Sequence, residues 1–328
     1  MVSLFKEKSS ASVFRVLLVS ILLRAHFIIQ PPVIVTSPDD GLIYPILSSL
    51  PSTLPPVAMS VIYQLIVLLQ ALRLNYILND LRMFQKNAFT TALAYLLLTA
   101  LLPQWNNISS ALVANSMLIW LIYRIAVMYN TPHPKPAVYN TGLIAGISLL
   151  LYYPAAPLLL LALFALAILR PFRINEWLVL LLGILTPVYF FLGYRFLTDK
   201  LTESFQVIKI FEPHIIRPAN IIDVAVTCSA AALVIFAGVY QWQANGGRMV
   251  IQIRRYWTVL FLMFLFLIPS IFLLRNAWPY ALLMAAIPAS AFVSNAFLYP
   301  KRNTVPAIFF WLLAAIVIYN NWKTIYNQ

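Results

Sequence analysis

Hydrophobic residues in this chain run in long unbroken blocks, without the alternation of a half-exposed strand. Stretches such as "SVFRVLLVSILLRAHFII" and "YWTVLFLMFLFLIPSIFLL" are near or above the roughly 18 to 20 apolar residues that a helix needs to cross a bilayer. Divided at turn signals, the blocks predict about eleven spans. They cover 12–30, 56–77, 88–103, 108–128, 139–153, 155–170, 177–197, 220–241, 256–274, 278–298 and 304–320. The links "PQWNN" and "YYPAAP" are short enough to make tight helical hairpins. The third and fifth spans fall short of a full crossing, so tilt or shelter by neighbouring helices is expected there. A porin-like barrel would instead need short alternating segments of about ten residues.

Composition sharpens this picture. The chain is 62% hydrophobic and 9% charged, against about 25% charged residues in a soluble globular protein. The expected fold class is therefore all-α: a polytopic α-helical integral membrane protein, one transmembrane domain over 1–328 with no soluble domain. The first block follows a basic start, "MVSLFKEKSS", and reaches spanning length without a small-residue cleavage site, as a retained signal anchor does.

The net charge of +13 would suggest nucleic acid in a soluble protein. Here no basic stretch is interleaved with stacking aromatics, and cytoplasmic loops of membrane proteins collect Lys and Arg. With the amino terminus inside, fifteen of the 22 Lys and Arg residues fall on the cytoplasmic side. The other seven are Arg24, Arg195, Lys200, Lys209, Arg217, Arg275 and Lys323. Segments 31–55 and 198–220 are then outer loops, and the carboxyl terminus is outside. Within the first loop, 41–50 is too short to cross and is bounded by Pro51, Pro55 and Pro56, which predicts an interfacial or re-entrant helix.

Candidate chemistry starts from "SPDDG" in that loop. Asp39 and Asp40 point in different directions, so they do not form one carboxylate dyad. One of them can serve as general base or divalent-metal ligand; equally, the motif is good helix-start chemistry, with Asp as cap and Gly41 permitting a bend. Polar residues inside spans are expensive, which singles out Arg15, Arg24, His26, Asn115 and Asp223. Arg24 either binds phosphate or snorkels to the interface, and Asp223 is placed to cap its helix. His214, Glu212 and Asp199 match no metal-ligand spacing. "ANGGR" reads as a turn, and "NIS" at 107–109 as a chance glycosylation pattern. The single Cys228 excludes intrachain disulfides and reads as a packing residue. Trp105, Trp177, Trp242, Trp257, Trp278 and Trp322 lie near span ends, where an interfacial belt accounts for them.

The stretch from "NAFTTALAYLLLTALLPQWNN" through "LALFALAILRPFR" resembles the membrane module of GT-C glycosyltransferases, which use polyprenyl-phosphate sugars. The matching features are Pro103, Arg124, Gly142, Gly146, Pro154 and Arg170, together with the late segment "RNAWPYALLMAAIPASAF". The whole chain also looks like a family of polytopic inner-membrane proteins of Bacteroidota. The resemblance implies a bacterial inner-membrane protein that binds a polyprenyl-phosphate-linked substrate at its outer face and transfers a glycosyl group. Asp39 or Asp40 would be the catalytic carboxylate, and Arg24, His26, Arg275 and Tyr280 would bind substrate. In the family's second acidic position this chain has Asn106 and Asn107, and a further Asp position holds Asn115. A non-catalytic scaffold subunit of an envelope or secretion assembly, built on membrane-protein partners, is the alternative. A solute transporter ranks third, because paired broken segments in two halves are missing.

Overall fold

A computed structural model describes residues 2–6, 10–36, 40–49, 55–129, 131–199, 221–272, 278–300, 302 and 304–326. Each apolar block predicted to span carries a helix. In chain order they are α1 (Ser10–Leu23), α3 (Pro56–Asp80), α4 (Thr90–Thr99), α5 (Ser110–Val127), α6 (Pro134–Leu151), α7 (Pro157–Leu169), α8 (Ile174–Leu197), α9 (Ile221–Gly246), α10 (Ile251–Leu267), α11 (Trp278–Leu298) and α12 (Thr304–Tyr326). The six-residue α2 (Ile43–Ser48) lies where the short outer helix was expected. Six of the helices are long and apolar enough to cross a membrane: most or all of α3, α5, α8, α9, α11 and α12. The chain is an α-helical, multi-pass membrane protein.

The two ends of the bundle are chemically distinct. At one, Phe89 N–H donates to the Phe5 carbonyl and the Trp257 indole to the Met83 carbonyl. Arg170 there reaches both the Met128 carbonyl and the Glu176 carboxylate, the latter at 2.7 Å. Arg255 donates to the Leu169 carbonyl and lies over the Tyr129 ring. This is the end at which the sequence places the cytoplasmic loops. At the opposite end, the turn Pro103–Asn106 is laced to α11 and α12. The Trp105 indole donates to the Pro279 carbonyl at 2.6 Å, and Asn320 and Asn321 donate to the Leu101 and Ala100 carbonyls.

Helix α4 runs through the centre, and all ten of its residues are buried. At about 1.5 Å per residue it is only half the thickness of a bilayer core, and its neighbours α3 and α11 supply the shelter expected for a short span. Several buried polar groups on these helices bond to one another. Gln70 donates to the Leu112 carbonyl and accepts from the Tyr95 hydroxyl, while Asn115 donates to Tyr95 and to the Leu283 carbonyl. Such bonds are the directional glue of helices in lipid, where burial of apolar surface contributes little. Small residues do the same by contact: Gly142 and Gly146 of α6 meet the backbone of α8 at Leu180 and Ile184, and Gly183 returns the contact at Tyr139. The order of these pairs makes α6 and α8 parallel.

Two expectations change here. The first apolar block is a 14-residue helix that ends at Leu23 and passes into a 3-10 turn, Ala25–Ile28. Asp223, in the first turn of α9, also has an unforeseen partner: its carboxylate takes both bonds from the Lys323 ammonium, at 2.7 and 3.0 Å, and ties α9 to α12. Among the tryptophans, Trp105 and Trp257 are buried in the protein instead of lying in an interfacial belt, and Trp242 stacks on Trp257. The Trp278 side chain, and His214 and Glu212 of the 198–220 loop, are outside the described residues.

Candidate functional site

The first inter-helix segment is stitched to the start of α5. Pro31 and Pro32 cannot donate backbone hydrogen bonds, and the chain runs extended into β1 (Ile34–Val35). That strand pairs in parallel with β2 (Ile108–Ser109), Ile34 opposite Ile108. The Asn107 side-chain carbonyl accepts from the Val33 N–H, and Val33 in turn accepts from the Ile108 N–H. Ser109 caps α5 by accepting from Leu112 N–H, so Ser110 is the first residue of the helix.

This stitching brings Asp40 to Ser110. The Ser110 hydroxyl donates to Asp40 Oδ2 at 2.7 Å, and Asp40 is only 5% exposed. A carboxylate at this place sits in the favourable field of a helix N-terminus. The next residue, Gly41, has φ +103°, which favours glycine, and a Cβ there would lie 2.7 Å from the Leu150 carbonyl oxygen. Leu42 N–H donates to that same oxygen at 2.9 Å. Gly41 and Leu42 thus strap the chain across the end of α6, and the bend expected at Gly41 is there.

Two tyrosines complete the cluster. Tyr152, just past α6, is fully buried; its hydroxyl has no hydrogen-bond partner among the described residues and lies within electrostatic reach of Asp40 and Tyr280. Tyr280 of α11 interacts with the Asn107 side chain and also feels Asp40. Of the expected site residues, Asp40 and Tyr280 therefore come together. Asp39 and Arg275 lie outside the described residues. Arg24 goes elsewhere: it is 3% exposed, donates to Thr99 Oγ1 at 2.9 Å and to Ser20 Oγ, and lies over the Tyr63 ring. Snorkelling is ruled out by that burial. Among the described residues no three His, Cys, Asp or Glu side chains converge on a metal-sized space.

Two cavities flank the turn Pro103–Asn106. On one side, a polar pocket of ≈ 390 Å³ is lined by His26, Gln30, Gln104, Asn106, Asn107 and Asn321, with Phe27 and three prolines. On the other, an apolar cavity of ≈ 680 Å³ runs between α9, α10, α11 and the end of α4. Trp105 and Thr227 stand at its polar end; Phe236, Val239, Phe261 and Ala286 line its length. Behind Phe261, Trp242 and Phe292 contact one another and Trp257. Cys228 lines this cavity and is exposed, so it is not the core-packing residue its isolation suggested.

Ser110 and Tyr152 carry the site without having been singled out, and Asn106 was noted only as standing in the family's second acidic position. For Ser110 and Asn106 the signal was the density of polar residues in "QWNNISS", costly in so apolar a chain; nothing local marks Tyr152. Comparison with family models, with curated proteins and with solved structures gives no match to this chain.

Proposed function

We propose that this protein binds a polyprenyl-phosphate-linked substrate at the outer face of a bacterial inner membrane, with its chain crossing about eleven times and its amino terminus cytoplasmic. The observation that carries this is the long apolar cavity and the polar pocket on the two sides of one turn, with Asp40 held by Ser110 at the start of α5, just past the pocket residue Asn107. A lipid with a large polar head needs an apolar channel open to the bilayer that ends among hydrogen-bonding groups. The Arg and Lys residues at the Arg170–Arg255 end favour that end as cytoplasmic.

In the catalytic form of this proposal the reaction is GT-C-like glycosyl transfer. Asp40 accepts the acceptor's proton as the acceptor oxygen attacks the anomeric carbon, and the lipid phosphate leaves with the bonding pair. Ser110 orients the carboxylate by donating to one oxygen, and Tyr280 and Asn107 flank the reacting centre. Radiolabelled polyprenyl-phosphate sugar supplied to host-membrane vesicles tests this. Parent chain should move label out of the lipid, and Asp40→Asn should do so about 10²–10⁴-fold more slowly. Equal rates would remove Asp40 from the chemistry.

The second reading is a non-catalytic scaffold subunit. It is favoured by the burial of Asp40 and by the broad exposed apolar faces of α8 and α9, such as Leu182, Tyr189, Phe190, Phe236 and Tyr240, which suit membrane-protein partners as well as lipid. Under it, Asp40→Asn and the parent behave alike.

A further inference from the structure

We infer that a basic pocket between the starts of α6 and α8 holds the headgroup of an anionic phospholipid. It lies at the far end of α6 from the strap at Gly41, 18 helical residues or about 27 Å away, and stands apart from whatever the other end binds. The contacts that set Gly142 against Leu180 and Ile184 set Pro134 level with Ile174, so two parallel helices begin side by side. Neither start has a side-chain cap: His133 and Arg173 stand at the cap positions and make no such bond. Between them is a pocket of ≈ 700 Å³, lined by His133, Lys135, Arg173, Asn175 and Glu176 with Ile174 and two prolines.

The lining is short of negative charge. Its carboxylate, Glu176, is buried and engaged by Arg170, whose Nε donates to Oε2 at 2.7 Å and whose Nη2 donates to Oε1 at 3.3 Å. Arg173 reaches that carboxylate only at 4.0 Å, with its side chain 67% exposed, and Lys135 is exposed as well. Three cations around one carboxylate leave a surplus positive charge, to which the positive ends of the two helices add. The surroundings make the matching anion a lipid's. Phe172 and Trp177 flank lining residues 173–176 with their rings 5.7 Å apart, as aromatic residues do in the headgroup layer. From Ile174 the exposed residues Leu178, Leu181, Leu182 and Leu185 continue along one face of α8, a track for acyl chains that begins in the pocket. A soluble anion would use the cations and leave the track. A zwitterionic lipid would use the track but bring its own cation to the surplus charge. An anionic phospholipid meets both, and basic pockets between spanning helices on the cytoplasmic side suit such headgroups.

The test uses the full chain in mixed micelles and reads bound ligand by native mass spectrometry. The probes are phosphatidylglycerol and phosphatidylethanolamine with identical acyl chains, and glycerol 3-phosphate as the headgroup without its chains. The parent should hold phosphatidylglycerol about tenfold more tightly than phosphatidylethanolamine. Lys135→Gln combined with Arg173→Gln should weaken phosphatidylglycerol binding about thirtyfold, the effect of two cations at an anionic surface. Arg248→Gln combined with Arg254→Gln removes the same charge at exposed positions outside the pocket lining, and should leave binding within about twofold of the parent. Asn175→Glu puts a carboxylate into the pocket at the second position of α8, where an acidic residue suits the helix. It should fold with a parental melting temperature and lose the preference. A parent without preference for phosphatidylglycerol, equal losses in the two double variants, or a parental preference in Asn175→Glu overturns the inference. Glycerol 3-phosphate binding as tight as that of phosphatidylglycerol overturns it too, since the site would then take a soluble anion. Should the Lys135→Gln and Arg173→Gln double variant not fold, Asn175→Glu decides.

Discussion

Asp40 depends on its neighbour for its place. Gly41 combines a positive φ with an approach to two carbonyl oxygens, Leu150 at 2.7 Å and Leu151 at 2.8 Å, that no Cβ tolerates. Gly41→Ala should therefore lower stability by about 1–3 kcal/mol, seen as a reduced melting temperature, and should release Asp40 from Ser110. An unchanged melting temperature would mean that the strap does not hold this conformation. The bend itself was legible in "DDG" because glycine's conformational freedom is a local property. The burial of Asp40 was not, since its partner Ser110 stands 70 residues further along the chain. Arg24 teaches the same thing: its acceptor Thr99 is 75 residues away, and nothing near residue 24 distinguishes a snorkelling arginine from one drawn into the bundle.

Helices were the more legible level, because a bilayer-crossing helix must be apolar over its whole length and so writes itself into local sequence. The blocks at 56–77, 108–128, 177–197, 220–241, 278–298 and 304–320 all carry helices long enough to cross. Which helices touch was less legible, because lipid-facing and protein-facing apolar surfaces are made of the same residues. The α6–α8 pair illustrates it. Gly142 and Gly146 stood out in the sequence, but their counterpart Gly183 reads as an ordinary residue of a later span. A Cβ at Gly183 would run into the Tyr139 carbonyl oxygen and come within 3.2 Å of Gly142 Cα, both backbone atoms. Gly183→Ala should force the helices apart and cost about 1–3 kcal/mol, as overpacking does. Gly193→Ala, ten residues along the same helix with open space around it, should be neutral or stabilising by up to about 1 kcal/mol. Thermal unfolding of the two variants in one detergent reads the difference; equal melting points would show that α6 and α8 do not pack through Gly183.

For the whole molecule, the proposed function rests on an apolar cavity between α9, α10 and α11 and a polar pocket on the other side of the turn Pro103–Asn106. The cavity wall on the α9 side is fastened by Asp223 to Lys323 and by Asn320 to Thr227, both at the polar end, which keeps the cavity mouth next to Trp105. If that space carries a prenyl chain, the protein should leave the membrane with its lipid. The direct measurement is mass spectrometry of lipids retained by the full chain after extraction into nanodiscs, compared with Ala232→Trp, which fills the cavity from α9. The parent should carry a polyprenyl-phosphate-linked lipid in stoichiometric amount, and Ala232→Trp should have lost it while still folded. A parent that holds only bulk phospholipids, in the proportions of the surrounding bilayer and unaffected by Ala232→Trp, would contradict the account.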